Sequence, residues 1–111
     1  MKRIPTIMEF DKRLKLEAKK LLVPETNTVG LIMQRIRDRY LKPTDVPPST
    51  GIFLFFSTGD DQRLFPVTST IGEIWKTMGE PTRIQIDVAV ENTFGTDDSH
   101  NHVMSLAYFI L

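Results

Sequence analysis

Apolar positions along this chain follow two rhythms, one of two residues and one of 3.6, and proline or glycine stands at most changes between them. Residues 3–10 are predicted to form a strand, with Pro5 near its start, where a missing N–H does least harm. Residues 11–20 carry mixed charge and lead into Lys19-Lys20-Leu21-Leu22-Val23, a second predicted strand stopped by Pro24. A short hairpin-like connection sets it antiparallel to the first. Val29, Ile32, Met33, Ile36 and Tyr40 then fall on one face of a helical period. That spacing predicts a helix, capped by Thr26, Asn27 or Thr28 and ended by Lys42-Pro43. Gln34, Arg35, Arg37 and Asp38 lie off the stripe and are expected in solvent.

Residues 43–50 hold three prolines and read as a loop. Gly51-Ile52-Phe53-Leu54-Phe55-Phe56 lacks alternation, which predicts a strand covered on both faces. Residues 57–61 turn the chain, and Arg63-Leu64-Phe65 is a short strand before Pro66. A second, shorter helix follows. Thr70 and Glu73 have capping-box spacing, the stripe is Ile71, Ile74, Trp75 and Met78, and Gly79 suits the left-handed exit. Ile84, Ile86, Val88 and Val90 then alternate with Gln85, Asp87 and Ala89 as a half-buried strand. Strand, strand, helix, strand, short strand, short helix, strand is the order of an α+β, ubiquitin-like β-grasp fold. In it a mixed four- to five-stranded sheet packs on one long helix plus a short one. The two stripes, with Phe53, Phe55, Phe56 and Trp75, are expected to fill one core.

At 111 residues the chain is expected to be a single domain. We expect residues 1–90 to be that domain, 91–95 an arm and 96–111 a tail. Fourteen basic residues balance fourteen acidic ones, so a nucleic-acid partner is not expected. The charge is polarised, however. Residues 1–42 hold eleven Lys/Arg against five Asp/Glu, and residues 43–111 hold three against nine. The basic pole either steers acidic partners or is simply solvated. The absence of cysteine excludes disulfides, thiol catalysis and cysteine-ligated zinc. No apolar run reaches the ~20 residues that cross a bilayer, the first residues do not read as a signal peptide, and the expected compartment is the cytosol.

Sixteen residues follow Gly95, the last nine of them mostly apolar. A glycine near the end of an arm lets the backbone enter a narrow active-site channel and offer its carbonyl to a thiolate. An ordinary loop glycine before a frayed end fits the same residues.

Several stretches together resemble the autophagy-related ubiquitin-like modifiers, the family of GABARAP and microtubule-associated protein light chain three. They are Arg3-Ile4-Pro5-Thr6-Ile7-Met8-Glu9, Lys19-Lys20-Leu21-Leu22-Val23-Pro24, Thr28-Val29-Gly30, Ile36-Arg37-Asp38-Arg39, Phe53-Leu54-Phe55-Phe56 and Glu91-Asn92-Thr93-Phe94-Gly95. The resemblance implies that a cysteine protease cuts after Gly95, with Phe94 in the adjoining subsite, and that residues 96–111 are a discarded propeptide. Activating and conjugating enzymes then join the Gly95 carboxylate to phosphatidylethanolamine on autophagosomal membranes.

It also implies capture of receptor peptides of pattern Trp/Phe/Tyr-x-x-Leu/Ile/Val, preceded by acids. An extended peptide would add to the edge at residues 19–22. Pro5, Ile7, Lys20 and Leu22 would line an aromatic pocket. Leu21, Val23, Pro24 and Ile32 would line an aliphatic one, and Lys19, Lys20 and Arg39 would meet the acids. The alternative is that Leu22 and Val23 are core and the lysines guard an edge. The chain departs from the family in three respects. Two residues precede Arg3 in this sequence where that family has two helices. Asn27 and Arg35 replace aliphatic residues of the second pocket, where Arg35 closes it or lends its stem as wall and favours an acidic residue. Arg83 replaces an aromatic behind the first.

Other chemistry is poorly represented. His100 and His102, with Asp97 or Asp98, lack the preorganised surroundings of a metal site, so no metal or cofactor is expected. No Ser/His/Asp set or phosphate loop falls in the folded part, so the chain is not expected to be an enzyme. The other reading of function is a ubiquitin-like peptide-binding module that is never conjugated.

Overall fold

In the computed structural model, which describes residues 2–91, the chain is an α+β protein with one mixed five-stranded sheet and two helices. The strands are β1 (Arg3–Phe10), β2 (Lys19–Pro24), β3 (Ile52–Thr58), β4 (Asp61–Arg63) and β5 (Ile84–Val90). The helices are α1 (Val29–Arg39) and α2 (Ile71–Thr77), of 11 and 7 residues. The sheet runs β2-β1-β5-β3-β4. Neighbours are antiparallel except β1 and β5, which pair in parallel at the centre.

The two-residue rhythm decides what faces inward. Ile4 and Met8 of β1, Ile52, Leu54 and Phe56 of β3, and Ile84, Ile86, Val88 and Val90 of β5 form one buried cluster with Val29, Ile32 and Ile36 of α1 and Ile71 and Ile74 of α2. Burying side chains of this kind stabilises by about 1.5–3 kcal/mol each before chain entropy is subtracted. Leu41 and Val46 join the cluster, so the loop between α1 and β3 is pinned by apolar burial.

Local signals hold at both helix starts and at the exit of α2. Thr28 is the cap of α1, its hydroxyl accepting from the Leu31 N–H at 3.1 Å. α2 has its capping box. Its exit has Gly79 at φ +86°, with the Gly79 N–H donating to the Lys76 carbonyl and the Glu80 N–H to the Trp75 carbonyl, a Schellman pair. The two helix starts are laced together. The Val29 N–H donates to the Ser69 carbonyl and the Ile71 N–H to the Asn27 carbonyl. Gly72 packs so tightly here that a Cβ would lie 3.0 Å from the Glu25 carbonyl oxygen.

Several expectations need correction. β2 runs through Pro24, which pairs with Arg3 in the register. α1 ends at Arg39 rather than at Lys42, and the Leu41 N–H bonds back to the Ile36 carbonyl. β4 occupies residues 61–63 rather than 63–65, because Thr58 pairs with Asp61 and the turn needs only Gly59 and Asp60. Gly59 takes the φ of +55° that this tight turn demands. β3 is covered by helices on one face only. On the other, Phe53 is half-buried while Phe55 is buried, at 6% exposure. Trp75 is a half-buried residue at the core's edge, where its indole N–H donates to the Pro81 carbonyl and the Lys2 ammonium sits 3.8 Å from its ring. Arg37 is half-buried and donates to the Thr50 carbonyl.

Candidate functional site

The outer edge of β2 pairs with no other strand among the described residues, so its backbone groups are open to an added strand. The register explains what flanks it. Pro5 pairs with Leu22 and Ile7 with Lys20, while Ile4 pairs with Val23 and Met8 with Lys19. Alternation therefore sends Lys20 and Leu22 to the open face, beside Pro5 and Ile7, and Lys19, Leu21 and Val23 to the helix side.

The open-face set is a shallow patch. Leu22 is 62% exposed, Pro5 and Lys20 are exposed and Ile7 is half-buried. Arg83 precedes Ile84, whose partner is Thr6, so it stands at the Pro5 end of this face and is exposed. Leu22 is not core, whereas Val23 is.

On the helix side the second set closes into a real cleft of about 100 Å³ between β2 and α1. Leu21, Leu22, Val23, Pro24, Ile32 and Arg39 line it, together with Asn27 and Arg35. Arg35 is exposed and borders the cleft without closing it. The reading from sequence missed Met8, Ile36 and Tyr40, which also line it. Tyr40 lay on the helical stripe and so read as core, but past the end of α1 it becomes the cleft's lip. Its ring meets Phe10 edge-on at 5.6 Å, and the Lys19 ammonium lies 5.6 Å from its centroid. Lys19 is thus held over the cleft side while Lys20 stands on the other. No carboxylate lines the cleft, so its field is positive.

A second depression lies on the open face among Glu9, Asp11, Lys12, Phe55, Gln62 and Asp87. Several of its polar groups bond one another or close neighbours. Gln62 donates to Asp87, and Gln85 to Glu9 and Asp87. Asp11 is bound by Arg13 at 2.7 Å. Burial pushes the Asp11 carboxyl up, but the Arg13 hydrogen bonds and charge outweigh that and hold it below the ordinary value.

Phe94 and Gly95, like His100 and His102, lie outside the described residues. The last described residue, Glu91, is bonded to Gly51. The Glu91 N–H donates to the Gly51 carbonyl at 2.8 Å, and the Gly51 N–H donates to Glu91 Oε1 at 3.1 Å. No helix among the described residues is long and apolar enough to cross a membrane, and none of their His, Asp and Glu side chains gather into a metal-binding group.

Fold and site together define an α+β protein with a mixed sheet whose free edge strand is flanked by apolar surface on both faces. Neither a scan of protein-family models nor a search of curated proteins returned a match to this chain.

Proposed function

We propose that this chain is a ubiquitin-like modifier of the autophagy type, built on a β-grasp domain. In this reading it is cut after Gly95 and joined through that residue to phosphatidylethanolamine. It begins in the cytosol and, once lipidated, holds receptors bearing aromatic-x-x-aliphatic motifs at the autophagosomal membrane. It acts as a tag and an adaptor rather than as an enzyme.

The observation that carries the reading is the β2 edge. Its free backbone supplies hydrogen bonds to an extended peptide, and Leu22 with Pro5 and Ile7 offers an aromatic ring a flat apolar seat. The cleft at Leu21, Val23, Pro24 and Ile32 receives an aliphatic side chain from the opposite face. Lys19, Lys20 and Arg39 surround these seats with positive charge, which speeds encounter with an acidic peptide. Glu91 supports the other half, because it ties the end of β5 to Gly51 just before the sequence Asn92-Thr93-Phe94-Gly95.

The chemistry asked of Gly95 is modest. A protease thiolate adds to its carbonyl, the bond to Thr96 breaks, and water releases the Gly95 carboxylate. Dedicated enzymes then activate that carboxylate and pass it to the lipid amine. The test is intact-mass spectrometry after incubation with the family's processing protease. Loss of residues 96–111 is the expected result. A chain that stays whole overturns the modifier and leaves a non-conjugated peptide-binding module.

A further inference from the structure

We propose that Tyr108-Phe109-Ile110-Leu111 of this same chain is an internal ligand for the β2 edge, occupying it for as long as the tail is attached. This inference rests on the docking reading above, and it turns on spacing. Leu22 seats one anchor on the open face, while Leu21 and Val23 border the seat on the helix side. A strand added to β2 must therefore present its two anchors on opposite faces. Side chains alternate along a strand, so such anchors stand an odd number of residues apart.

Tyr108 and Leu111 are three apart, with the aromatic first. The chain has ten aromatic residues, and Tyr108 alone is followed three positions later by Leu, Ile or Val. The one stretch of the chain with the aromatic-x-x-aliphatic pattern proposed for receptor peptides thus lies in the part that processing would remove. Charge favours the same pairing. Residues 92–111 contain Asp97 and Asp98 and no Lys or Arg, whereas Lys19, Lys20, Arg35 and Arg39 surround the edge.

The distance is short. Val88 pairs with Phe10 and Met8 with Lys19, so the chain leaves β5 at the Lys19 end of β2. A strand beyond β2 lies three strand spacings from β5, about 14 Å. Residues 92–107 can span up to about 53 Å when extended, so the connection does not limit the contact. Tethering also sets a local concentration of about 1 mM. A tail affinity on the order of 100 μM, taken as the working assumption, would then give about tenfold competition with an incoming peptide. Removing residues 96–111 then does two things at once: it frees the Gly95 carboxylate and it uncovers the receptor site.

The test compares the full chain with its Tyr108→Ala/Leu111→Ala variant by fluorescence anisotropy. The probe is a labelled synthetic peptide with an acidic run before Trp-x-x-Leu. Both substitutions lie outside residues 2–91, so neither changes a residue of the sheet or its core. The variant is expected to bind the peptide about tenfold more tightly at every protein concentration, and the chain ending at Gly95 is expected to match it. Equal affinity for full chain and variant overturns the internal ligand and leaves the docking reading standing. Absence of binding by all three proteins overturns both. A difference that grows with protein concentration, with a dimer in sedimentation, assigns the contact to a second copy and overturns the intramolecular form.

Discussion

Glu91 and Gly51 exchange two hydrogen bonds, one from the Glu91 amide to the Gly51 carbonyl and one from the Gly51 amide to the Glu91 carboxylate. The pair ties the residue that follows β5 to the residue that precedes β3. Glu91→Ala removes the charged acceptor and is expected to cost about 1–2 kcal/mol. Glu91→Gln keeps an acceptor oxygen and should cost less. Urea unfolding followed by circular dichroism checks the order, and equal midpoints for the two variants would refute the role given to the carboxylate.

The β2 edge predicts a graded response to substitution. Lys20→Glu with Leu22→Ala reverses a charge and removes the apolar seat on the open face, yet both residues are exposed and the fold should hold. A Trp-x-x-Leu peptide with preceding acids is expected to bind the chain ending at Gly95 in roughly the micromolar range, about −8 kcal/mol. The double variant should show no saturable binding. Isothermal titration calorimetry reads this directly, and an unchanged isotherm would place the site elsewhere.

Arg35 tests the other face. It borders the cleft at β2 and α1 where an aliphatic wall would suit an aliphatic ligand better. Arg35→Leu is expected to tighten binding of the Trp-x-x-Leu peptide several-fold and to weaken a matched peptide with Glu in the last position. Competition anisotropy with the two peptides measures the switch, and parallel changes in both would argue against contact with Arg35.

Gly95→Ala addresses processing. A methyl group at the scissile position narrows the fit of the backbone to a protease channel. Cutting by the family's protease should fall at least about tenfold, the reading of 1.4 kcal/mol or more in the barrier. In starved cells the variant should remain diffuse. Normal cleavage of this variant, read by mass spectrometry, would remove Gly95 from the role.

Acid should loosen the start of α2. The Thr70 N–H and hydroxyl both hydrogen-bond Glu73 Oε1, at 2.9 and 3.0 Å. The backbone bond first, then the hydroxyl, holds the Glu73 carboxyl below its ordinary value. A depressed carboxyl stabilises the fold above its unfolded pKa and loses that contribution as pH falls through the folded one. Asp11 has the same sign. The urea midpoint should therefore hold at neutral pH and drop as pH falls below about 5, through and beneath the ordinary values of 4.5 for Glu73 and 3.8 for Asp11. Thr70→Ala should cost about 1 kcal/mol of capping at neutral pH, lowering the urea midpoint, and should make the acid drop smaller. An identical pH slope in both proteins would count against the box.

Much of this molecule was legible residue by residue. The helical stripe of Val29, Ile32 and Ile36, the box at Thr70 and Glu73, the exit at Gly79 and the alternation from Ile84 to Val90 are short-range signals. Each depends on neighbours within a few positions, so the amino-acid order alone sufficed to place those elements. What it could not decide involves partners far apart in the chain. Only the assembled sheet fixed the register of β1 against β5, and turned Leu22 outward while Val23 went into the core. Only the packing of α1 made a cleft from Leu21, Ile32, Arg35 and Tyr40, and drew Arg37 to the Thr50 carbonyl. Trp75 was misjudged for the same reason, since an indole that needs a partner for its N–H found the Pro81 carbonyl at the core's rim. Local propensity writes the elements. Which faces become buried, and which stay available to a ligand, is set by long-range pairing whose free energy appears only when distant segments meet.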